Sequence, residues 1–378
     1  MIRINSIVGL ELELANYLQN ELDALGLTCR MEEIEPKRPN VYAFLGGSKP
    51  GKKLNFNGHM DTVPVVEDWD TDPFNPVISD GKLYGLGSCD MKAGIACILT
   101  MIKAFVEEEH QFQGQLSFSA VIDEEAYGKG AKAMLKSELA NVDAIVLAEP
   151  FPGNESKPIP LGITGKVLYD VHVHGKAAHG FQPELGVNAI EELSKILVNL
   201  DRLSFEVHSE FGKGNYSTLK IEGGYREIYS VVVPAIARAE INRLLVPGET
   251  VRTAITDMKN LVNSLDLSAK VEVKTKPPRY ESFVLDKEEL IFQILNPIYA
   301  EIMGKAPRYG YTSGITDANI FAGEGGIPCL HLGPPQVVAH QKNEFVSLEW
   351  LPALSKMYTL IAARFLSGER LLGTEIRT

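Results

Sequence analysis

The chain has 378 residues and a formal net charge of −12, from 37 Lys plus Arg against 49 Asp plus Glu. Hydrophobic residues make up 45% and charged residues 23%, a mix that excludes intrinsic disorder, a collagen-like repeat and a disulfide scaffold. The acidic balance argues against nucleic acid or an anionic membrane surface as the main partner.

Residues 10–25 carry apolar side chains at helical spacing and stop at Gly26. Residues 41–45 and 54–57 read as strands. A helix over 93–109 turns from apolar to acidic. Then follow a strand over 116–122, a short helix over 129–137 and a buried strand over 144–147. This alternation predicts an α/β domain with a mostly parallel sheet covered by helices. The middle of the chain changes character. Strands over 167–174, 216–222, 235–245 and 269–274 are interleaved with helices over 186–200 and 250–265. The order β-α-β-β-α-β is that of a ferredoxin-like sandwich. Helices near 286–303 and 315–323, a strand at 327–332 and a helix over 347–366 then return to the first pattern. The expected organisation is a catalytic domain in two pieces, residues 1–164 and 278–378, around an inserted α+β domain at 165–277.

Four cysteines (Cys29, Cys89, Cys97, Cys329) form no C-x-x-C pair, which fits reduced thiols and a cytoplasmic protein. The first residues lack the apolar core of a signal peptide, and no apolar run reaches about 18 residues, so no membrane span is expected.

Five segments carry candidate chemistry. In Asn57-Gly-His59-Met-Asp61, a strand ends in His59 and Asp61 lies two residues on, on the same face of extended chain. Asp61 could hold one ring nitrogen of His59 while the other binds a metal. A solvated strand end is the plainer alternative. In Gly85-Leu-Gly87-Ser-Cys89-Asp90, glycines allow a tight bend before the helix, and Asp90 either enters the same cleft or caps that helix. The spacing of a phosphate loop is missing. The run Asp123-Glu124-Glu125 ends another strand; three adjacent carboxylates repel one another without cations, although acidic turns are also common on surfaces. Glu149 follows an apolar strand, at the edge where α/β sheets place their sites. His340 stands in a loop ahead of the last helix. Two imidazoles and three carboxylates, with Asp90 shared, would give each of two metals three ligands and leave open positions. Nitrogen and oxygen donors without thiolate suit Zn²⁺ and tolerate Co²⁺ or Mn²⁺.

With these segments in this order, the chain resembles the dinuclear-zinc amidohydrolases: acetylornithine deacetylase, succinyl-diaminopimelate desuccinylase, aminoacylase, glutamate carboxypeptidase and related dipeptidases. The resemblance covers nearly the whole chain, inserted domain included. It implies that His59 and Glu149 hold one zinc, that Glu125 and His340 hold the other, and that Asp90 bridges both with a cis peptide to Met91. It implies that Asp61 orients His59 and that Glu124 is the general base. In the insert, Gly175-Lys-Ala-Ala-His179-Gly is similar to a lid signature, which implies that His179 stabilises the oxyanion and that the lid forms a homodimer. His110, His172, His174, His208 and His331 are read as residues without a role.

Three features depart from the family pattern. The helix that usually precedes the Asn5-Ser6 segment is missing, so either that helix is lost or the start is set too late. Val231 stands where the lid usually has Asn. Ile241-Asn242-Arg243-Leu244 stands one residue out of step with the usual D-x-R, so Arg243 is a candidate for gripping a substrate carboxylate while Leu244 competes for the position. Ser313, Gly314 and Thr316 resemble the family's substrate loop, and Thr316 could equally be a helix cap. The reading that follows is a hydrolase of the amide bond in small N-acyl amino acids. A dipeptidase or carboxypeptidase using the same site is the first alternative, and a non-catalytic metal-binding homologue the second.

Overall fold

The computed structural model describes residues 1–66, 68–108, 111–225, 231–335 and 338–367. His110 and Glu109, the last residue expected for the second helix, lie outside the described residues; the helix itself runs over Ala93–Glu107. The chain divides into two compact units: residues 1–161, 285–311 and 316–378, and residues 162–284 with 312–315.

The first unit is built on a six-stranded sheet. Its spatial order is Thr28–Glu35, Arg38–Gly46, Gln113–Val121, Lys49–His59, Ala144–Leu147 and Cys329–His331. The first two pairings are antiparallel and the other three parallel. The α/β class with a mostly parallel sheet is therefore as expected, with an antiparallel ribbon added at one edge. That edge strand, Thr-Cys-Arg-Met-Glu-Glu-Ile-Glu, is half-exposed and charged, so its apolar signal is weak.

The central strands show why the sheet is buried on both faces. Leu54, Phe56, Leu116, Phe118 and Val146 belong to the main apolar core with the helices Ala93–Glu107, Leu290–Met303 and Trp350–Leu366. Phe56 meets Tyr358 edge-on, with ring centroids 5.2 Å apart. The intervening Asn55, Asn57, Ser117 and Ser119 are buried too, and they satisfy one another. Asn55 donates to Ser117 Oγ at 3.0 Å, Asn57 to Ser119 Oγ at 2.8 Å, and Ser119 back to Asn55 Oδ1 at 2.8 Å. Gly94 lets the helix Ala93–Glu107 abut the neighbouring strand end, because a Cβ there would lie 2.5 Å from the Ala148 carbonyl oxygen. Where a helix was expected over 315–323, the backbone makes one wide turn, Asn319–Glu324.

The second unit has a four-stranded antiparallel sheet, ordered Asn215–Gly223, Ile236–Leu245, Gly165–His174 and Lys270–Tyr280. With the helices Ala189–Leu197 and Val251–Ser264 it follows the β-α-β-β-α-β pattern. Val167, Tyr169, Val171 and Val173 alternate inward and share a core with Leu193, Ile196, Ala254 and Met258. Asn188 caps the first helix and Thr250 closes a capping box on the second. Among the described residues, no helix is long and apolar enough to cross a membrane.

Candidate metal centre

Three parallel neighbours deliver the centre. His59 ends one strand opposite Val121, the last residue of the next, and Asn57 pairs with Leu147, the last residue of the third. Glu124 and Glu125 follow Val121 within a few residues, and Glu149 follows Leu147 by two. Carboxylates and imidazole thus collect at the carboxyl edge of adjacent strands, where side chains leave the sheet without a crossing connection.

Asp90 lies at the middle of the collection. Its Oδ1 is 3.1 Å from His59 Nε2, and its Oδ2 is 3.5 Å from His340 Nε2. One carboxylate therefore addresses two imidazoles with different oxygens. Glu149 Oε1 lies 3.7 Å from His59 Nε2, and Glu125 Oε1 lies 2.9 Å from His340 Nε2. Donor atoms of His59, Asp90 and Glu149 gather within 4.8 Å of one another, as do those of Asp90, Glu125 and His340. A third gathering joins His59, Glu124 and Glu125. The Asp90–Met91 peptide is cis.

The second ring nitrogen of His59 fixes its tautomer. Nδ1 lies 2.8 Å from the backbone carbonyl of Asp61, which can only accept, so Nδ1 carries the proton and Nε2 faces the carboxylates. The Asp61 carboxylate stands off at 3.9 Å. It accepts instead from the backbone N–H of Glu124 at 3.2 Å and of Glu125 at 3.0 Å. Asp61 thus meets His59 through its carbonyl and holds the Glu124–Glu125 turn through its side chain. Sequence spacing placed the residue but not its two faces.

The electrostatics test whether these residues fit a metal pair. Burial would lower the His59 imidazolium, but the hydrogen bond to Asp90 and the fields of Glu124, Glu149 and Asp61 hold it well above its usual range. His340 is pushed up to about 10 by its hydrogen bonds to Asp90 and Glu125. Burial, reinforced by Asp90, pushes Glu149 up to about 8. Burial and the neighbouring Glu149 raise Glu124 well above the carboxylate range. Among the described residues no lysine or arginine pairs with Glu124, Glu125 or Glu149. Without cations the cluster must take up protons, and hard oxygen donors with two imidazoles are what divalent metals accept. The donor set fits a dinuclear site with Asp90 shared.

The family-wide pattern of Peptidase family M20/M25/M40 matches residues 55–364. The chain belongs to this family. It is therefore a metal-dependent hydrolase of amide bonds. Over 376 residues it is 28% identical to a succinyl-diaminopimelate desuccinylase of Legionella pneumophila strain Corby, with 97% of each chain covered. An aminopeptidase PepT from Bacillus cereus shares the fold at a TM-score of 0.76 and 22% identity, covering 96% of this chain and 95% of its own. A dinuclear metal binding peptidase of the M20 family from Bacillus subtilis shares it at 0.68 and 16%, covering 97% and 96%.

In this M20 chain Arg243, His179, Ser313 and Gly314 belong to the second unit, and several residues around the centre carried no sequence signal. Arg243, the candidate for gripping a substrate carboxylate, is engaged within the second unit. It is 1% exposed inside the second unit, donates to Glu249 Oε1 at 2.6 Å and Asp257 Oδ2 at 3.3 Å, and lies 4.9 Å from the Phe205 ring centroid. Its charge is consumed by that unit's own core. Within the second unit His179 is exposed; its Nδ1 accepts from the Phe181 N–H at 3.2 Å, beside a Phe181 side chain that is 83% exposed. Ser313 and Gly314 are exposed, and Gly314 N–H donates to Thr312 Oγ1. Thr316 belongs to the first unit and is buried. Its hydroxyl lies 2.9 Å from His331 Nε2 and caps the Ala318 N–H.

Glu344 carries no local sequence signal of its role. It is 2% exposed and accepts from the backbone N–H of Gly87, Cys89 and Asp90 at 2.8, 2.8 and 3.1 Å. Four residues from His340, it ties that loop to the loop of Asp90. Arg38 carries no such signal either. It reaches Glu11 at 2.6 Å and Asp123 Oδ1 at 2.8 Å, anchoring Asp123 at φ +70° just before Glu124. Both depend on partners dozens to hundreds of residues away, beyond any local motif.

Proposed function

We propose that the protein hydrolyses the amide bond of small N-acyl amino acids at a dinuclear zinc centre. The observation that carries this reading is the Asp90 carboxylate set between the two imidazoles, each of which has a further carboxylate of its own. His59 and Glu149 would hold one ion, Glu125 and His340 the other, and Asp90 both. Zn²⁺ suits the donors, and Co²⁺ or Mn²⁺ would substitute. When bound, the ions supply Lewis acidity toward the scissile carbonyl and toward the attacking water.

The chain's own residues do the rest. Burial and neighbouring carboxylates give the Glu124 carboxylate a high proton affinity, which suits a group that takes the proton of the attacking water and passes it to the leaving amine. Asp61 holds the Glu124 and Glu125 N–H groups, so base and ligand move as one turn. His59 is held by its Nδ1–H donation to the Asp61 carbonyl, which keeps Nε2 directed inward. His179 of the second unit would stabilise the oxyanion, with Ser313 and Gly314 offering donors to substrate. The second unit would act as lid and homodimer contact. A cytoplasmic site of action fits the scattered free thiols.

The desuccinylase relative favours an acyl-amino acid substrate over a peptide. A panel of N-acetyl-, N-succinyl- and N-formyl-amino acids against dipeptides, on zinc- and cobalt-loaded protein, tests this. Faster cleavage of dipeptides than of every acyl-amino acid would reverse the assignment. Fewer than two ions per chain at saturation with no hydrolysis would remove it.

A further inference from the structure

Beside the centre stands a cation that the mechanism does not use. Lys157 ends the loop that follows Glu149, and its Nζ lies 4.2 Å from the centroid of the Phe151 ring. The Phe151 N–H donates to the Glu149 carbonyl at 2.6 Å, so the aromatic floor under Lys157 is fastened to a ligand residue. Phe151 is itself packed edge-on against His331, with centroids 5.1 Å apart.

The loop holds Lys157 rigidly. Asn154 Oδ1 accepts from the N–H of Ser156 at 3.1 Å and of Lys157 at 2.9 Å. Tyr299 donates to the Pro152 carbonyl at 2.7 Å, and the Arg308 N–H donates to the Gly153 carbonyl at 2.8 Å. A placed side chain on a pinned loop is how proteins build specificity contacts.

Lys157 nevertheless has no carboxylate within ion-pair distance among the described residues. Burial lowers its pKa, and the more distant Asp90 and Glu149, with the Cys89 thiol, raise it. Those two carboxylates are the ones the metal pair would neutralise. Two divalent ions on Asp90, Glu125 and Glu149 carry a net formal charge of about +1. In the loaded protein the Lys157 ammonium therefore faces a positive centre, half-buried, over an aromatic ring and without a counter-anion. A ring face retains a cation there, but it does not discharge it.

We propose that Lys157 is a specificity-determining residue that pairs with a free carboxylate of the substrate, so that the preferred substrates carry a carboxylate within reach of the scissile amide. This rests on the amide-hydrolase reading above. Two sources share the chemistry: the distal carboxylate of a dicarboxylic acyl group such as succinyl, and the α-carboxylate of the amino acid. Neutral acyl groups on neutral amines would gain nothing from it.

The test uses metal-loaded full-length protein, with Lys157→Met and Lys157→Arg. Substrates are an N-succinyl-amino acid, an N-acetyl-amino acid and an N-succinyl alkylamine. Metal content is measured for each variant, and succinate binding is measured by calorimetry as a readout free of turnover. If the acyl carboxylate is read, Lys157→Met loses on the order of 10- to 100-fold in kcat/KM on both succinyl substrates, mainly through KM, and less than about 3-fold on the acetyl one. Succinate binding weakens in parallel, and Lys157→Arg restores most of both. If the α-carboxylate is read, the loss appears on both amino-acid substrates and spares the alkylamine. An equal loss on all three, a loss of bound metal, or no loss on any would overturn the proposal. A wild-type protein that hydrolyses nothing defeats the amide-hydrolase reading instead; succinate binding unchanged by Lys157→Met would then overturn the subsite separately.

Discussion

Replacing Glu344 by Ala removes two acceptor oxygens and strands three backbone donors in one step. Its oxygens take the N–H groups of Gly87, Cys89 and Asp90 at 2.8, 2.8 and 3.1 Å, in a side chain only 2% exposed. A buried donor left unsatisfied costs about 1–3 kcal/mol, so three donors set an upper range of about 3–9 kcal/mol. Water entering the vacated space would satisfy part of that, which brings the expected loss to about 3–5 kcal/mol. Glu344→Gln keeps one acceptor oxygen but turns an NH₂ group toward a donor, so about 1–3 kcal/mol is expected. The assay is urea unfolding of metal-free protein followed by tryptophan fluorescence. Both tryptophans, Trp69 and Trp350, lie in the first unit, so the signal reports the unit that holds Glu344. Measurement at pH 8 keeps Glu344 ionised, since burial, against its N–H bonds, raises its pKa to about 7. Because Glu344 also joins the loops of Asp90 and His340, the Ala variant should bind its second metal ion more weakly than its first. A loss below about 1 kcal/mol, with both ions bound as in wild type, would refute the clamp.

Three further outcomes follow from the same geometry. Glu124→Gln should retain both metals and lose kcat by about 10³-fold or more; near-normal turnover would remove Glu124 as the base. The metal-free protein should lose thermal stability as pH rises from about 6 to 9. Burial raises Glu149 to about 8, and hydrogen bonds raise His340 to about 10. A raised folded-state pKa stabilises below the unfolded value, and that contribution is lost as pH climbs through the folded one. Metal loading should abolish the trend and release on the order of two to three protons per chain near pH 7, from His59, His340 and Glu149; an alkaline-stable metal-free protein, or loading without proton release in calorimetry across buffers, contradicts the account. Arg243→Met should lower the stability of the second unit by about 3–5 kcal/mol through the stranded Glu249 and leave KM near wild type at a temperature where the variant is folded; a selective rise in KM would return Arg243 to the substrate.

Much of the centre was legible because its groups sit at strand ends. Strand periodicity announces where a strand stops, and His59, Glu125 and Glu149 follow such stops directly. Asp90 and His340 were legible through the resemblance more than through their loops, since a loop Asp or His has no periodic neighbours to locate it. Thr28–Glu35 was missed because its half-exposed alternation carries more charges than apolar groups. For Arg243, residue type and a nearby turn suggested recognition, while its burial among Glu249, Asp257 and Phe205 exists only after the second unit has folded.

The acidic excess contains two kinds of carboxylate, and the amino-acid sequence alone determined which strands would carry the clustered ones. It set the α/β class, the β-α-β-β-α-β order and the donor types, because periodicity and residue chemistry are local properties. Only tertiary structure decided that Asp90 faces two imidazoles, that Asp61 divides its carbonyl from its carboxylate, and that Glu344 joins two loops. It also decided that Arg243 pairs inward while Lys157 has no ion-pair partner among the described residues. Such outcomes depend on contacts across up to about 260 residues of chain, and hydrogen-bond and charge satisfaction is resolved only when the partners have been brought together.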